Sequence, residues 1–133
     1  MIDTFNDYQK EKKSLSYEQM KRLHAELAAE VGDDEDALEL YEELMQKANR
    51  YADMRARWAL MSREEKMDQD SFRTSLHDSV ITHFNMLARY LRMQGKATAW
   101  RDELGDEKAD PWCRKAIGDF GCYLVFVNSL LAR

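Results

Sequence analysis

The sequence predicts an all-α fold, an antiparallel bundle of about four main helices with short connecting helical pieces. Ala, Glu, Lys, Leu and Arg make up 60 of the 133 residues, a share typical of long helices. The β-branched residues that favour strands number only 11, and there is a single proline, which argues against a sandwich or a barrel. Apolar residues also recur at three- and four-residue spacing along most of the chain, as they do in helices with one buried face.

The first predicted helix spans residues 16–31. Ser16 and Gln19 form a capping-box pair at its start, and a glycine follows its last regularly spaced apolar residue. Residues 1–15 are polar, and we interpret them as an N-terminal arm or a frayed helix. Residues 16–133 are expected to form a single helical domain, since no linker or repeat divides them.

The second and third predicted helices span residues 34–61 and 71–94. Acidic residues crowd the start of the second, where they favour the positive end of the helix dipole. The third carries one continuous apolar stripe and ends before a glycine. Between them, Ser62 and Glu65 form another capping pair, which we expect to start only a short helix or turn.

The last predicted helix spans residues 111–131 and follows a short amphipathic piece at 97–104. Asp110 and Pro111 are a strong start signal, because Asp caps helices and Pro suits their first position.

This last helix is apolar or small around nearly its whole circumference, so it needs cover on more than one side. It is either the central helix of the bundle or a helix with one face completed by a second copy or another protein. In the second case, the candidate interface is Tyr123, Phe126 and Leu130. A strand over residues 123–127 is a third possibility, because periodicity cannot identify so short an apolar run.

Charge is separated along the chain. Residues 33–49 carry a net charge of −6, and residues 71–101 carry a net charge of +4. If the second and third helices form an antiparallel hairpin, the acidic start of one lies beside the basic end of the other. Such complementary charge selects orientation more than it adds stability. The alternative is that the 71–101 block is a basic face that binds nucleic acid.

His77 and His83 are the residues most similar to site residues. Their spacing of six does not give the i, i+4 pair that a helical zinc site needs, and no Glu-x-x-His occurs in the chain. They could line a ligand pocket together with Tyr90 and Trp100. No catalytic constellation, phosphate loop or metal-ligand pattern is present in the sequence, so we expect no catalytic residues, cofactor or metal.

The two cysteines, Cys113 and Cys122, fall on opposite sides of the last helix, which predicts reduced thiols and a cytoplasmic location. The net charge of −5 disfavours general binding to nucleic acid or anionic membranes, and no segment has the length and hydrophobicity of a membrane span.

The leading functional hypothesis is a non-enzymatic protein that acts through protein–protein interaction or homodimerisation. The alternative is a helical bundle that binds, or acts on, a small ligand at His77 and His83. Nucleic-acid binding through residues 71–101 ranks below both.

Overall fold

The computed structural model describes residues 15–131, and in the last helix it describes the side chains of residues 112–128. This part of the chain contains five helices and no strand: α1 (Tyr17–Val31), α2 (Glu35–Trp58), α3 (Arg63–Met93), α4 (Ala99–Leu104) and α5 (Pro111–Leu131). The predicted all-α class is therefore confirmed. The alternative of a strand at 123–127 is wrong, because α5 is helical through these residues. The predicted N-terminal arm, residues 1–15, lies almost entirely outside the described residues.

Helix α3 begins eight residues earlier than predicted. The Ser62 hydroxyl accepts from the Glu65 N–H at 3.1 Å, and the Ser62 N–H donates to the Glu65 carboxylate at 3.0 Å. This capping box starts the long helix itself, not a separate short one, because no glycine or proline follows to interrupt it. Helix α2 accordingly ends at Trp58, and the connection is only four residues long.

Helices α2 and α3 are antiparallel. Asp34 at the start of α2 accepts a hydrogen bond from Tyr90 near the end of α3, and farther along the pair Tyr51 stacks on His77. Helix α5 is antiparallel to α2 as well, since the Asn128 amide donates to the Tyr41 hydroxyl at one end of their contact.

The acidic start of α2 lies beside the basic end of α3, as predicted: Asp34 accepts from Tyr90, and the Tyr90 hydrogen bond and the charge of Lys96 both lower the pKa of Asp34. The close ion pairs of the basic block use other acids. Arg92 pairs with Asp102 in α4, and Arg101 pairs with Glu107 in the next connection. The basic residues thus reach acids near them in the chain, and these pairs do not use the 33–49 block. Antiparallel packing of α2 and α3 does not depend on pairing between the two blocks, because both helices share an apolar core.

The middle of α5 is the centre of the core. Every residue from 116 to 124 is buried, and Gly121 lies close enough to Val80 and Ala48 for a methyl group there to touch both. Of the two interpretations of this helix, the central one fits the structure. A helix that is apolar on all sides is covered here by α2, α3 and α1.

The candidate interface on α5 needs correction at Tyr123. Its side chain is only 3% exposed, because Tyr17 of α1 packs edge-on against the ring at 6.1 Å between centroids. Phe126 is half-buried and packs against the core. Leu130 lies beyond the last described side chain. The surplus apolar surface that suggested a partner is therefore largely covered within the chain.

Candidate anion-binding site

A cleft of about 540 Å³ opens where α2 ends and α5 begins, with α3 alongside. Its lining residues come from α2, α3 and α5, with Ala59 directly after the end of α2: Tyr51, Arg55, Trp58, Ala59, Arg73, His77, Arg114 and Lys115. Four of the eight are cationic, three are rings, and none is a carboxylate. We call this feature the basic cleft.

Two larger hollows, of about 760 and 680 Å³, lie farther along α3. Carboxylates line both of them, Glu107 in each and Asp78 in the smaller. Their walls therefore carry both signs of charge, whereas the basic cleft presents one sign. A concave surface lined by one sign of charge concentrates the opposite ion.

Helical spacing explains why these side chains converge. Tyr51, Arg55 and Trp58 are separated by four and three residues, which places them on one face of α2. Arg73 and His77 are four apart on α3 and share a face there. Because α2 and α3 are antiparallel, the last turns of α2 meet the early turns of α3.

His77 is held in one orientation. Its Nε2 lies 2.8 Å from the main-chain oxygen of Arg114, and because a carbonyl only accepts, Nε2 must carry the proton and donate. Nδ1 is then left as an acceptor. The ring also stacks on Tyr51, with centroids 4.9 Å apart and planes 16° from parallel. Burial lowers the pKa of His77, so the ring is neutral at pH 7.

Gly118 makes this arrangement possible. A Cβ at this position would lie 2.7 Å from Nε2 of His77 and 3.3 Å from a ring carbon of Tyr51. Only a residue without a side chain lets the stacked rings approach α5 so closely.

Arg55 forms the fixed wall of the basic cleft. Its guanidinium lies 2.6 Å from the carboxylate of Asp119, which is completely buried, and the Arg55 side chain itself is 15% exposed. Lys115 approaches the same carboxylate from the other side, at 3.9 Å. Asp119 is therefore a buried counter-charge behind the lining, and it holds Arg55 in place.

Arg73 and Arg114 are held less firmly. Their carboxylate partners, Asp70 and Asp78, are 61% and 55% exposed, and exposed ion pairs contribute only about 0–1 kcal/mol. Arg73 also lies over the Trp58 ring, 4.7 Å from its centroid. Among the described residues, the Nε of Arg73 is a buried donor without a hydrogen-bond partner. The Arg114 guanidinium can therefore turn toward a bound anion at small cost.

The structure places the other predicted ligand residues elsewhere. Nδ1 of His83 lies 2.7 Å from the Ser79 carbonyl oxygen of its own helix. The Tyr90 hydroxyl shares its proton between the two carboxylate oxygens of Asp34, at 2.9 and 2.8 Å. The first contact lies within α3, and the second joins α3 to the start of α2.

Trp100 is completely buried, and its indole N–H donates to Glu30 of α1 at 2.7 Å. A ring without exposed surface is not available to a ligand. Of the four predicted pocket residues, the basic cleft contains His77 alone. Sequence reasoning missed its other members because Arg55, Trp58 and Arg114 belong to no motif and meet only through the packing of three helices.

The basic block at 71–101 is divided in the structure. Arg73 lines the basic cleft, whereas Arg101 is 7% exposed and donates to Asn85, Gly105 and Glu107. These two arginines thus belong to different parts of the structure, a cleft and a buried network.

Among the described residues, no group of three or more His, Cys, Asp or Glu side chains is arranged to hold a metal ion. Within the same range, none of the helices combines the length and the hydrophobicity that crossing a membrane requires.

Comparison of the chain with protein-family models, curated proteins and solved structures finds no significant match.

Proposed function

We propose that this protein binds a small anionic ligand in the basic cleft between α2, α3 and α5. The observation that carries the proposal is the convergence of Arg55, Arg73, Arg114 and Lys115 on one hollow whose lining includes no carboxylate. Arginine suits such a site because its planar fork binds carboxylate and phosphate groups through two parallel hydrogen bonds.

The ion pairs that Arg55 and Arg114 already make leave both side chains able to bind an anion from solution. Asp119 already holds Arg55, so this cation needs no reordering when a ligand arrives. Arg114 exchanges one exposed partner, Asp78, for a ligand oxygen. The exposed pair that Arg114 gives up contributes only about 0–1 kcal/mol, so its loss takes little from the affinity for the ligand.

The neutral state of His77 is consistent with this role. Its Nε2 proton is engaged by the Arg114 carbonyl, and Nδ1 is able to accept a hydrogen bond from a hydroxyl or N–H of the ligand. Nothing in this arrangement requires a bond to be broken, so the proposal is binding without catalysis.

The test is calorimetric titration of the full chain with inorganic phosphate, phenyl phosphate and benzoate, with phenol as the uncharged probe. We expect at least one anion to bind, phenol not to bind, and Arg114→Gln to weaken anion binding at least tenfold. Arg57→Gln is the matched control, because Arg57 is exposed, pairs only with Asp53 of its own helix, and does not line the basic cleft. Equal affinity in the two variants, or no binding of any anion, would overturn the proposal.

A second candidate function is self-association or binding of another protein. It is favoured by three exposed apolar side chains near the α2–α3 connection, Leu60, Met67 and Phe72, which are 69%, 73% and 52% exposed. Light scattering at micromolar concentration tests it directly. A dimer that Phe72→Glu dissociates and that Met93→Glu at the other end of α3 leaves intact would support this function. A monomer at all concentrations would remove it.

A further inference from the structure

We infer that the basic cleft selects anions that carry a flat aromatic ring over aliphatic anions of the same charge. The inference rests on the proposed function and specifies the ligand class. It comes from three properties of the cleft that anion binding alone does not require: its rings, the stacked position of Arg73, and its size.

The ring-bearing wall consists of Trp58, Tyr51 and His77. Trp58 is half-buried, so part of its indole faces the hollow. Tyr51 is buried, and the His77 ring stacks on it. A site that recognised only charge would not need this apolar wall, since phosphate and carboxylate groups gain nothing from aromatic faces.

The Arg73 guanidinium offers a flat face on which a ring of the ligand can stack. Its guanidinium is a flat group lying 4.7 Å from the centre of the Trp58 ring. A guanidinium stacks on aromatic faces from either side, so a ligand ring can cover the outer face of Arg73 and extend the stack. The ring of an anion is especially suited to this position, because its electron density faces a cation.

Two of the four cations come from α5. Arg114 and Lys115 belong to the first turns of this helix and line the hollow together with Trp58 of α2. The backbone at this helix start is already capped, since the Asp110 side chain accepts from the Trp112 N–H at 2.9 Å. Side chains must therefore recognise the anionic group. The part of the lining that comes from α5 thus contains cations and no ring, whereas all three rings come from α2 and α3.

The size of the basic cleft agrees with such a ligand. Sites for ring-containing small molecules are hollows of about 300–1,000 Å³. The basic cleft, at about 540 Å³, lies within this range and is much larger than a bare phosphate or acetate needs.

The test compares matched pairs of probes by calorimetry on the full chain: phenyl phosphate against methyl phosphate, and benzoate against acetate. Each aromatic probe should bind at least tenfold more tightly than its aliphatic partner. The phosphate and carboxylate pairs also show which anionic group the site prefers.

Variants test whether the preference for aromatic anions depends on the ring-bearing wall. Trp58→Leu should abolish the aromatic preference, so that phenyl phosphate and methyl phosphate bind with similar affinity, whereas Trp58→Phe should keep part of the preference. Trp112→Leu is the matched control, because Trp112 is exposed and lies outside the lining. Thermal denaturation followed by circular dichroism shows that each variant folds, and if Trp58→Leu does not fold, Trp58→Phe and the wild-type ratios decide the question.

The outcomes separate the two proposals. Equal affinities for aromatic and aliphatic anions, with binding that still depends on Arg114, would overturn the ring preference and leave anion binding intact. Absence of binding by all four probes would overturn both.

Discussion

The approach of His77 to α5 gives the sharpest test of the geometry of the basic cleft. Gly118→Ala adds a methyl group 2.7 Å from Nε2 and 3.1 Å from Cδ2 of His77. Carbon and nitrogen atoms that do not bond cannot approach so closely, so the imidazole has to leave its place between Tyr51 and the Arg114 carbonyl.

The expected cost follows from three effects. Overpacking costs about 1–3 kcal/mol, and loss of the hydrogen bond to the carbonyl costs about 0.5–1.5 kcal/mol. The helix gains about 0.5–1 kcal/mol from replacing glycine with alanine in its interior. The cost of overpacking and of the lost hydrogen bond exceeds the gain in helix propensity. We therefore expect Gly118→Ala to lower the free energy of unfolding by about 2 kcal/mol, or the melting temperature by about 5–10 °C.

The assay is urea denaturation of the single and double variants. In a His77→Ala background the obstructing ring is absent, so Gly118→Ala should be neutral or slightly stabilising, which corresponds to a coupling energy of about 2 kcal/mol. Gly121→Ala is the control, because its methyl group would meet Val80 at 3.1 Å and not His77, and its cost should not depend on the His77 background. If Gly118→Ala stabilises the wild-type protein and shows no coupling to position 77, the described packing of His77 is wrong.

Three further predictions concern buried and titrating groups. Arg55→Ala removes the nearer of the two cations beside the buried Asp119 carboxylate and should cost about 3 kcal/mol in urea denaturation, whereas Arg57→Ala at an exposed pair should cost less than about 1 kcal/mol. Similar costs for the two variants would contradict the buried pairing. The hydrogen bond from Tyr90 lowers the pKa of Asp34 and raises the pKa of Tyr90 to about 12. Stability should therefore fall as the pH drops below about 4 and as it rises from about 10 to 12, and Tyr90→Phe should reduce both dependences in thermal melts. Because burial lowers the pKa of His77, the unfolded chain takes up its proton first, so stability should decrease as the pH falls below about 6.5, and His77→Gln should reduce this decrease.

The helix starts could be predicted from the sequence because capping is a local interaction. Ser16, Ser62 and Asp34 each sit immediately before a helix, and in each case the side chain accepts from main-chain N–H groups within three residues. Such contacts depend on nearby sequence alone. The sequence predicts the start of α3 eight residues too late. The polar residues that follow the Ser62–Glu65 capping box suggest that a short helix ends there, whereas in the structure they form the solvent-exposed first turns of α3.

The basic cleft could not be predicted because its residues are far apart in the chain. Arg55 and Arg114 are separated by 59 positions, and no periodicity connects them. The role of Asp119 is harder still to predict, because a single acidic residue in an apolar helix gives no indication that its partner lies on α2. The sequence did single out His77, although for its residue type and not for the helical packing that gives it a role.

The position of α5 changes which function the chain supports. Its apolar circumference first suggested a partner, because one small bundle does not obviously need so much buried surface. In the structure, α1, α2 and α3 cover the helix over residues 116–124, so that demand is met within the chain. Among the described residues, the buried Nε of Arg73 has no acceptor, and it lies beside a hollow that four cations line. The carboxylate partners of these cations, Asp70, Asp78 and Asp119, lie outside that lining, so the surface of the hollow itself presents cations and aromatic rings. Such a surface favours a small anion, whereas a largely apolar surface would favour a protein partner.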